Sequence, residues 1–174
     1  MGIGKFAAGN LFAGSFDRIV GTNGLVAFGR PFTLRPTALK GWLKYNCGKI
    51  DCYPNGTSSK IPGIGNPDRG SIYIALGDWD YRVYGGTAVS PVQVNTTNRS
   101  TFFDPKSENV IGYGSLVLDE STDGWIHVEI PIEYVSTSRK PTHIIVSCAS
   151  SMLGDYFTGS SKSILWLDKM ELIY

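Results

Sequence analysis

Apolar and polar residues alternate with a period of two through segment after segment of this chain, and the segments are separated by glycine, proline, asparagine and aspartate. Successive side chains point to opposite faces only in an extended strand, so this pattern commits the chain to half-buried β-structure. Residues 37–46 show it most clearly. Leu39, Gly41, Leu43 and Tyr45 form one row, and Ala38, Lys40, Trp42 and Lys44 form the other. The leucines belong in a core, which leaves Lys40, Trp42 and Lys44 on the opposite face. In residues 70–79, Ile72, Ile74 and Leu76 point inward, with Tyr73, Ala75 and Trp79 on the other side. In residues 125–136, Ile126, Val128, Ile130, Ile132 and Tyr134 oppose Trp125, His127, Glu129 and Glu133, and Pro131 marks an edge or a bulge.

Residues 10–17 (with Gly14 as a candidate bulge), 25–29, 110–120 and 143–151 read as further strands. The last stretch, SILWLDKMELIY at 163–174, is a strand with Asp168 inside an apolar run; a terminal strand of this kind is expected in the middle of a sheet. The chain therefore predicts about eight strands, with no helical period sustained over a helix's usual length. An all-β antiparallel β-sandwich of jelly-roll type is the expected architecture. Two connections are long: residues 47–70, and residues 80–109 with Tyr81, Tyr84, Phe102 and Phe103. A connection of the second length is usually functional or mobile.

At 174 residues the chain fits one domain, read as a leader or linker remnant over 1–9 and a single sandwich over 10–174. Its 42% hydrophobic content is enough for a sizeable core. A net charge of +1 without basic runs excludes the electrostatic footprint of a nucleic-acid binder. No apolar run is long enough for a transmembrane helix, so membrane insertion is not expected. The first residues lack a signal-peptide core, which fits either an intracellular protein or, the favoured expectation, a domain of a longer secreted polypeptide. Cys47 and Cys52 enclose the short loop GKID. Either a disulfide or two free thiols fits that spacing. Cys148 lies in an apolar run and reads as a buried, inert thiol.

Five stretches taken together resemble a bacterial family, the putative carbohydrate metabolism domain. They are FGRPFTLRPTALKGWLKYN (28–46), SIYIALGDW (71–79), WIHVEIPIEYVSTSRKPTHIIVSCASS (125–151), GDYFTG (154–159) and SILWLDKMELIY (163–174). The resemblance runs from Asn10 to Tyr174. One departure is visible, since the closing strand of the family more typically carries two adjacent acids and here Lys169 follows Asp168. The resemblance implies a jelly roll similar to carbohydrate-binding modules, C-terminal in secreted or surface-anchored proteins of polysaccharide-using bacteria. It carries over no catalytic residue.

Sugar binding on a sandwich needs flat aromatic faces to stack on pyranose C–H groups, with polar side chains nearby for the hydroxyls. Trp42 and Trp79 are the candidate platforms, and Lys44, Asp78 and Tyr156 the candidate hydroxyl partners. The competing reading buries both tryptophans at the sandwich edge or under the 80–109 connection. Trp125 and Trp166 are assigned to packing. The GDYFTG loop reads as a compact turn with Tyr156 or Phe157 pinned to the core. A glycoside hydrolase would need two acids across a cleft, with Asp78, Asp80, Glu129, Glu133 and Asp155 as candidates, and the sequence brings no two of them together. Asp168, a lone carboxylate in an apolar strand, needs a partner. Similar sandwiches hold a structural calcium between their first and last strands, which would join Asp168 to Asp17; the alternative partner is an arginine or loop N–H groups. His127 and His143 read as ordinary strand residues.

The expectation is a non-catalytic carbohydrate-binding accessory domain of a secreted, cell-surface or periplasmic polysaccharide-utilisation protein. Its partners would be a polysaccharide or oligosaccharide and further domains of a longer chain. A structural or protein-interaction module and a glycoside hydrolase are the alternatives.

Overall fold

The computed structural model describes residues 6–21, 23–54 and 60–174. Within them the chain forms an antiparallel all-β sandwich. Its strands are β1 (Asn10–Phe12), β2 (Gly14–Val20), β3 (Asn23–Phe28), β4 (Arg30–Pro31), β5 (Ala38–Asn46), β6 (Gly70–Gly77), β7 (Val92–Asn95), β8 (Val110–Leu118), β9 (Ile126–Pro131), β10 (Glu133–Tyr134), β11 (His143–Ala149) and β12 (Ile164–Ile173). One helical turn, α1 (Tyr81–Tyr84), and 3₁₀ turns at Arg99–Thr101 and Gly154–Tyr156 interrupt them. Several short strands raise the number above the eight or so that periodicity predicts.

The strands make three sheets. A central sheet has the order β1-β11-β6-β8-β10, with β4 also pairing to β11. A front sheet has the order β12-β5-β9, and a back sheet the order β2-β3-β7. The chain passes repeatedly from one sheet to another in the jelly-roll manner. Between β9 and β10 this crossing happens at Pro131 and Ile132. The period-two reading of 125–136 as a single strand is corrected here: Glu129 lies in the front sheet and Glu133 in the central one. Proline has no N–H to continue a ladder, and the turn packs against Gly112 and Gly114 of β8, where a Cβ would collide with the Tyr134 ring and the Pro131 carbonyl.

The central sheet is covered on both faces, which explains the nearly unbroken apolar runs of β6 and β11. Ile72, Ile74 and Leu76 of β6, with Ile144 and Cys148 of β11, meet Leu39, Leu43 and Tyr45 of β5 in the main core. The intervening residues Tyr73, Ala75 and Ile145 face the other way, onto Phe28 of β3 and Val92 and Val94 of β7. β7 lies inside the connection that the sequence leaves as polar loop, and it supplies one strand of the back sheet.

Loops 47–69 and 151–163 are joined by Asp68, which is only 2% exposed. Its Oδ2 accepts hydrogen bonds from Ser151 Oγ (2.6 Å), Ser163 Oγ (2.8 Å) and the Ser160 N–H (2.9 Å). Its Oδ1 accepts from the Arg69 N–H at 2.8 Å. A buried carboxylate is tolerable when donors replace its water shell, and here four do. Cys47, Cys52 and Cys148 are free thiols. The disulfide reading of Cys47 and Cys52 is not realised, because the Cys47 thiol is directed to the Asp68 carbonyl at 3.2 Å.

Candidate functional site: an aromatic and charged face on the front sheet

β12 is an edge strand, not a central one. It pairs with β5 alone, and Leu165, Leu167, Met170 and Leu172 pack on the main core. The step from 167 to 170 is three residues because a bulge interrupts the ladder between Asp168 and Glu171. Lys169, in the bulge, takes a φ of 49°. The extra residue restores the inward row after the break and keeps Trp166, Asp168 and Glu171 on the outer face.

Register then builds a grid across the front sheet. Trp166 is opposite Lys44; Asp168, Trp42 and His127 form a row; Glu171, Lys40 and Glu129 form the next. Trp42 is 41% exposed and Trp166 is 38% exposed. The two are diagonal neighbours on adjacent strands, close enough for large rings to present one continuous surface. Each is held by a neighbour. The Trp42 ring meets His127 edge-on with centroids 5.4 Å apart, and the Lys44 ammonium lies 5.2 Å from the Trp166 centroid. Lys40 pairs with Glu171 at 3.0 Å. The face is exposed, with hydrogen-bonding groups among its apolar rings.

The residues singled out from sequence are distributed over three places. Trp42 and Lys44 share the front face. Asp78 sits at the end of β6, paired with Arg139 at 2.6 Å and accepting from the Asn109 amide at 3.1 Å. Burial alone would raise its pKa, but the Arg139 and Asn109 bonds outweigh this and hold the carboxyl below the usual carboxylate range. Trp79 is 3% exposed and packs edge-on against Phe103, 6.2 Å between centroids. That corrects its assignment as a platform: the 80–109 connection folds over it, and no face remains for a sugar. Tyr156, in the Gly154–Tyr156 turn, packs against the same connection, with Phe102 edge-on at 5.2 Å and the Arg99 guanidinium 5.0 Å from its ring.

The metal reading is also corrected. Asp17 is the extra residue of a bulge in β2, paired with Arg18 at 3.7 Å. Asp168 is on the front sheet, with the central sheet between them, so the two cannot share a cation. Asp168 is exposed and solvated, which removes the need for a buried partner. Among the described residues, no group of three or more His, Cys, Asp or Glu side chains gathers as a metal site. The candidate hydrolytic acids are equally scattered. Asp80 caps α1 and pairs with Arg82 at 2.6 Å, while Asp155 lies between the central and back sheets.

Trp166, assigned to packing from sequence, is the residue that the reading missed. The signal is the spacing of Leu165, Leu167, Met170 and Leu172. A row that skips one position marks a bulge, and Trp166 falls outside that row.

These features define an all-β sandwich with a shallow aromatic face. The chain belongs to the family described as the putative carbohydrate metabolism domain, which matches residues 1–173. Among solved structures it is similar to a putative glycoside hydrolase from Bacteroides thetaiotaomicron, at 28% identity and a TM-score of 0.67, covering 97% of this chain and 47% of that one. It also shares the fold of a putative glycoside hydrolase from Bacteroides vulgatus, at 24% identity and a TM-score of 0.66, covering 96% of this chain and 64% of that one. The chain thus spans less than two thirds of either neighbour. No curated protein sequence matches it. No helix among the described residues is long and apolar enough to cross a membrane.

Proposed function

We propose that this chain is a non-catalytic carbohydrate-binding domain, an accessory part of a secreted or surface polysaccharide-utilisation protein of bacteria. The observation that carries this reading is the pair Trp42 and Trp166, exposed side by side on the front sheet and bordered by Lys44, Asp168, Glu171 and His127. Indole faces stack on the C–H face of a pyranose, and the bordering charges meet its hydroxyls. The open face suits an internal stretch of a polysaccharide, since a flat surface does not enclose a chain end. Family membership agrees with a carbohydrate role.

The hydrolase description of the neighbours supports a second reading, in which the chain contributes to hydrolysis. It applies to chains of which this one spans 47% and 64%. On the front face the acids are Asp168, Glu171 and Glu129, all exposed on the outer row of the sheet. That is the arrangement of solvated strand residues, not of an acid pair flanking a glycosidic bond.

Gel retardation against bacterial, plant and host polysaccharides, with Trp42→Ala and Trp166→Ala in parallel and reducing-sugar release assayed on the same panel, tests the proposal. Retardation by a glycan class, lost in either variant without sugar release, is expected. Retardation unchanged in both variants would overturn the site, and sugar release would overturn the non-catalytic assignment.

A further inference from the structure

The central and back sheets do not close completely on each other. At the end bearing the Gly154–Tyr156 turn they leave a cavity of about 640 Å³, a volume typical of small-molecule sites. Aromatic rings supply much of its wall: Phe12, Phe16, Tyr73 and Phe157 all line it. Among the described lining residues the one charged side chain is Asp155. Among the described residues no lysine, arginine or histidine lines the cavity beside it, and no side-chain hydrogen bond reaches its carboxylate. Phe157, which follows the turn, has a φ of 54°, a left-handed conformation that a non-glycine residue adopts only when its surroundings impose it.

We infer that this cavity binds a small organic ammonium compound, with the cation against Asp155 and among the aromatic rings. A lone carboxylate in an aromatic enclosure has two complementary ways of attracting a positive charge. One is direct pairing, and the other is the negative face of each ring. An anion would meet Asp155 without a compensating base, and a purely apolar ligand would leave that carboxyl desolvated and unpaired. Burial already pushes the Asp155 carboxyl above its ordinary range, and a bound ammonium would restore its ionised form. The Ser147 hydroxyl, on β11, lines the same space and bonds Asn10 at 3.2 Å, giving the polar part of a ligand a second contact. This site shares no residue with the front face and does not depend on the glycan reading.

Two probe pairs test it by calorimetry: choline against its neutral isostere 3,3-dimethylbutanol, and glucosamine against glucose. Saturable one-to-one binding of either ammonium probe is expected, with its neutral counterpart weaker by about 10-fold or more. Which probe binds distinguishes a quaternary cation from an amino sugar. Asp155→Asn, nearly isosteric, should reduce the ammonium probe to the affinity of its neutral counterpart. Phe16→Ala, at an exposed edge position where truncation spares the core, should weaken it several-fold, about 3- to 5-fold. Trp42→Ala should leave it unchanged. Equal binding of charged and neutral probes, binding unaffected by Asp155→Asn, loss of binding in Trp42→Ala, or no saturation by either ammonium probe up to about 10 mM would each overturn the assignment.

Discussion

Lys44 and Trp166 face each other across β5 and β12 as register partners, with the ammonium 5.2 Å from the indole centroid. The contact orders a half-exposed ring and places a hydrogen-bond donor at its border. Removing the lysine should therefore loosen the platform without destroying it. Lys44→Ala is expected to weaken glycan retardation by about 2- to 5-fold, less than the loss in Trp166→Ala.

Trp42 lies on the proposed platform and Trp79 in the core, so the two substitutions test binding and folding separately. Trp79 is in the second core, and Trp79→Ala should cost about 3–5 kcal/mol in a urea titration. Trp42→Ala, on the exposed face, should change stability by no more than about 0.5 kcal/mol while abolishing retardation. A reversed result would put the platform elsewhere.

Gly41 lies opposite the β12 bulge. A Cβ there would overlap the Met170 sulfur and press on the Met170 Cα and the Asp168 carbonyl. Gly41→Ala should destabilise the protein by about 1–3 kcal/mol, measured by denaturant unfolding. Adding Met170→Ala should relieve only the sulfur contact, so a full rescue is not expected.

Asp68 holds four donors. Asp68→Ala would leave the Ser151 and Ser163 hydroxyls and the Ser160 and Arg69 N–H groups without their acceptor in a buried place. A loss of about 3–5 kcal/mol is expected in equilibrium unfolding. Proteolysis should begin in the two loops that it joins.

Two carboxylates predict opposite dependences on pH. The Asp155 pKa is raised by burial, so its contribution is fully present below the unfolded pKa and is lost as pH rises through the folded one. The Asp78 pKa is lowered, since bonds from Arg139 and Asn109 outweigh burial; its contribution is present above the unfolded pKa and is lost as pH falls through the folded one. Thermal melts should show Asp155→Asn raising Tm at neutral pH and Asp78→Asn lowering it. The Asp155 difference should fade below about pH 4, where that group is protonated in the unfolded chain as well, and the Asp78 difference only as pH falls further, through its lowered folded pKa.

Period-two alternation places Trp42 and Lys44 on one face of β5 and the leucines on the other, and the structure keeps that arrangement. Local pattern suffices there because the strand's own pleat sets both rows. It fails for Trp79, whose neighbours Asp78 and Asp80 suggest exposure. What buries Trp79 is Phe103, from the far part of the connection that follows it, and what occupies Asp78 is Arg139, 61 residues away. Asp68 is illegible for the same reason, three of its four partners lying 83 to 95 residues along the chain. The edge position of β12 is hidden because an apolar run reads as two-sided burial. Leu165, Leu167, Met170 and Leu172 bury one side, and the bulge conceals the alternation.

The central sheet is committed on both its faces, whereas the front sheet turns only one face inward. Substitutions in β6 or β11 therefore disturb one core or the other, but the outer rows of β5, β9 and β12 can be rewritten with little cost to folding. If that face binds glycan as proposed, specificity and stability are uncoupled along the direction perpendicular to the sheets, and the outer rows can vary from one relative to the next over the same interior.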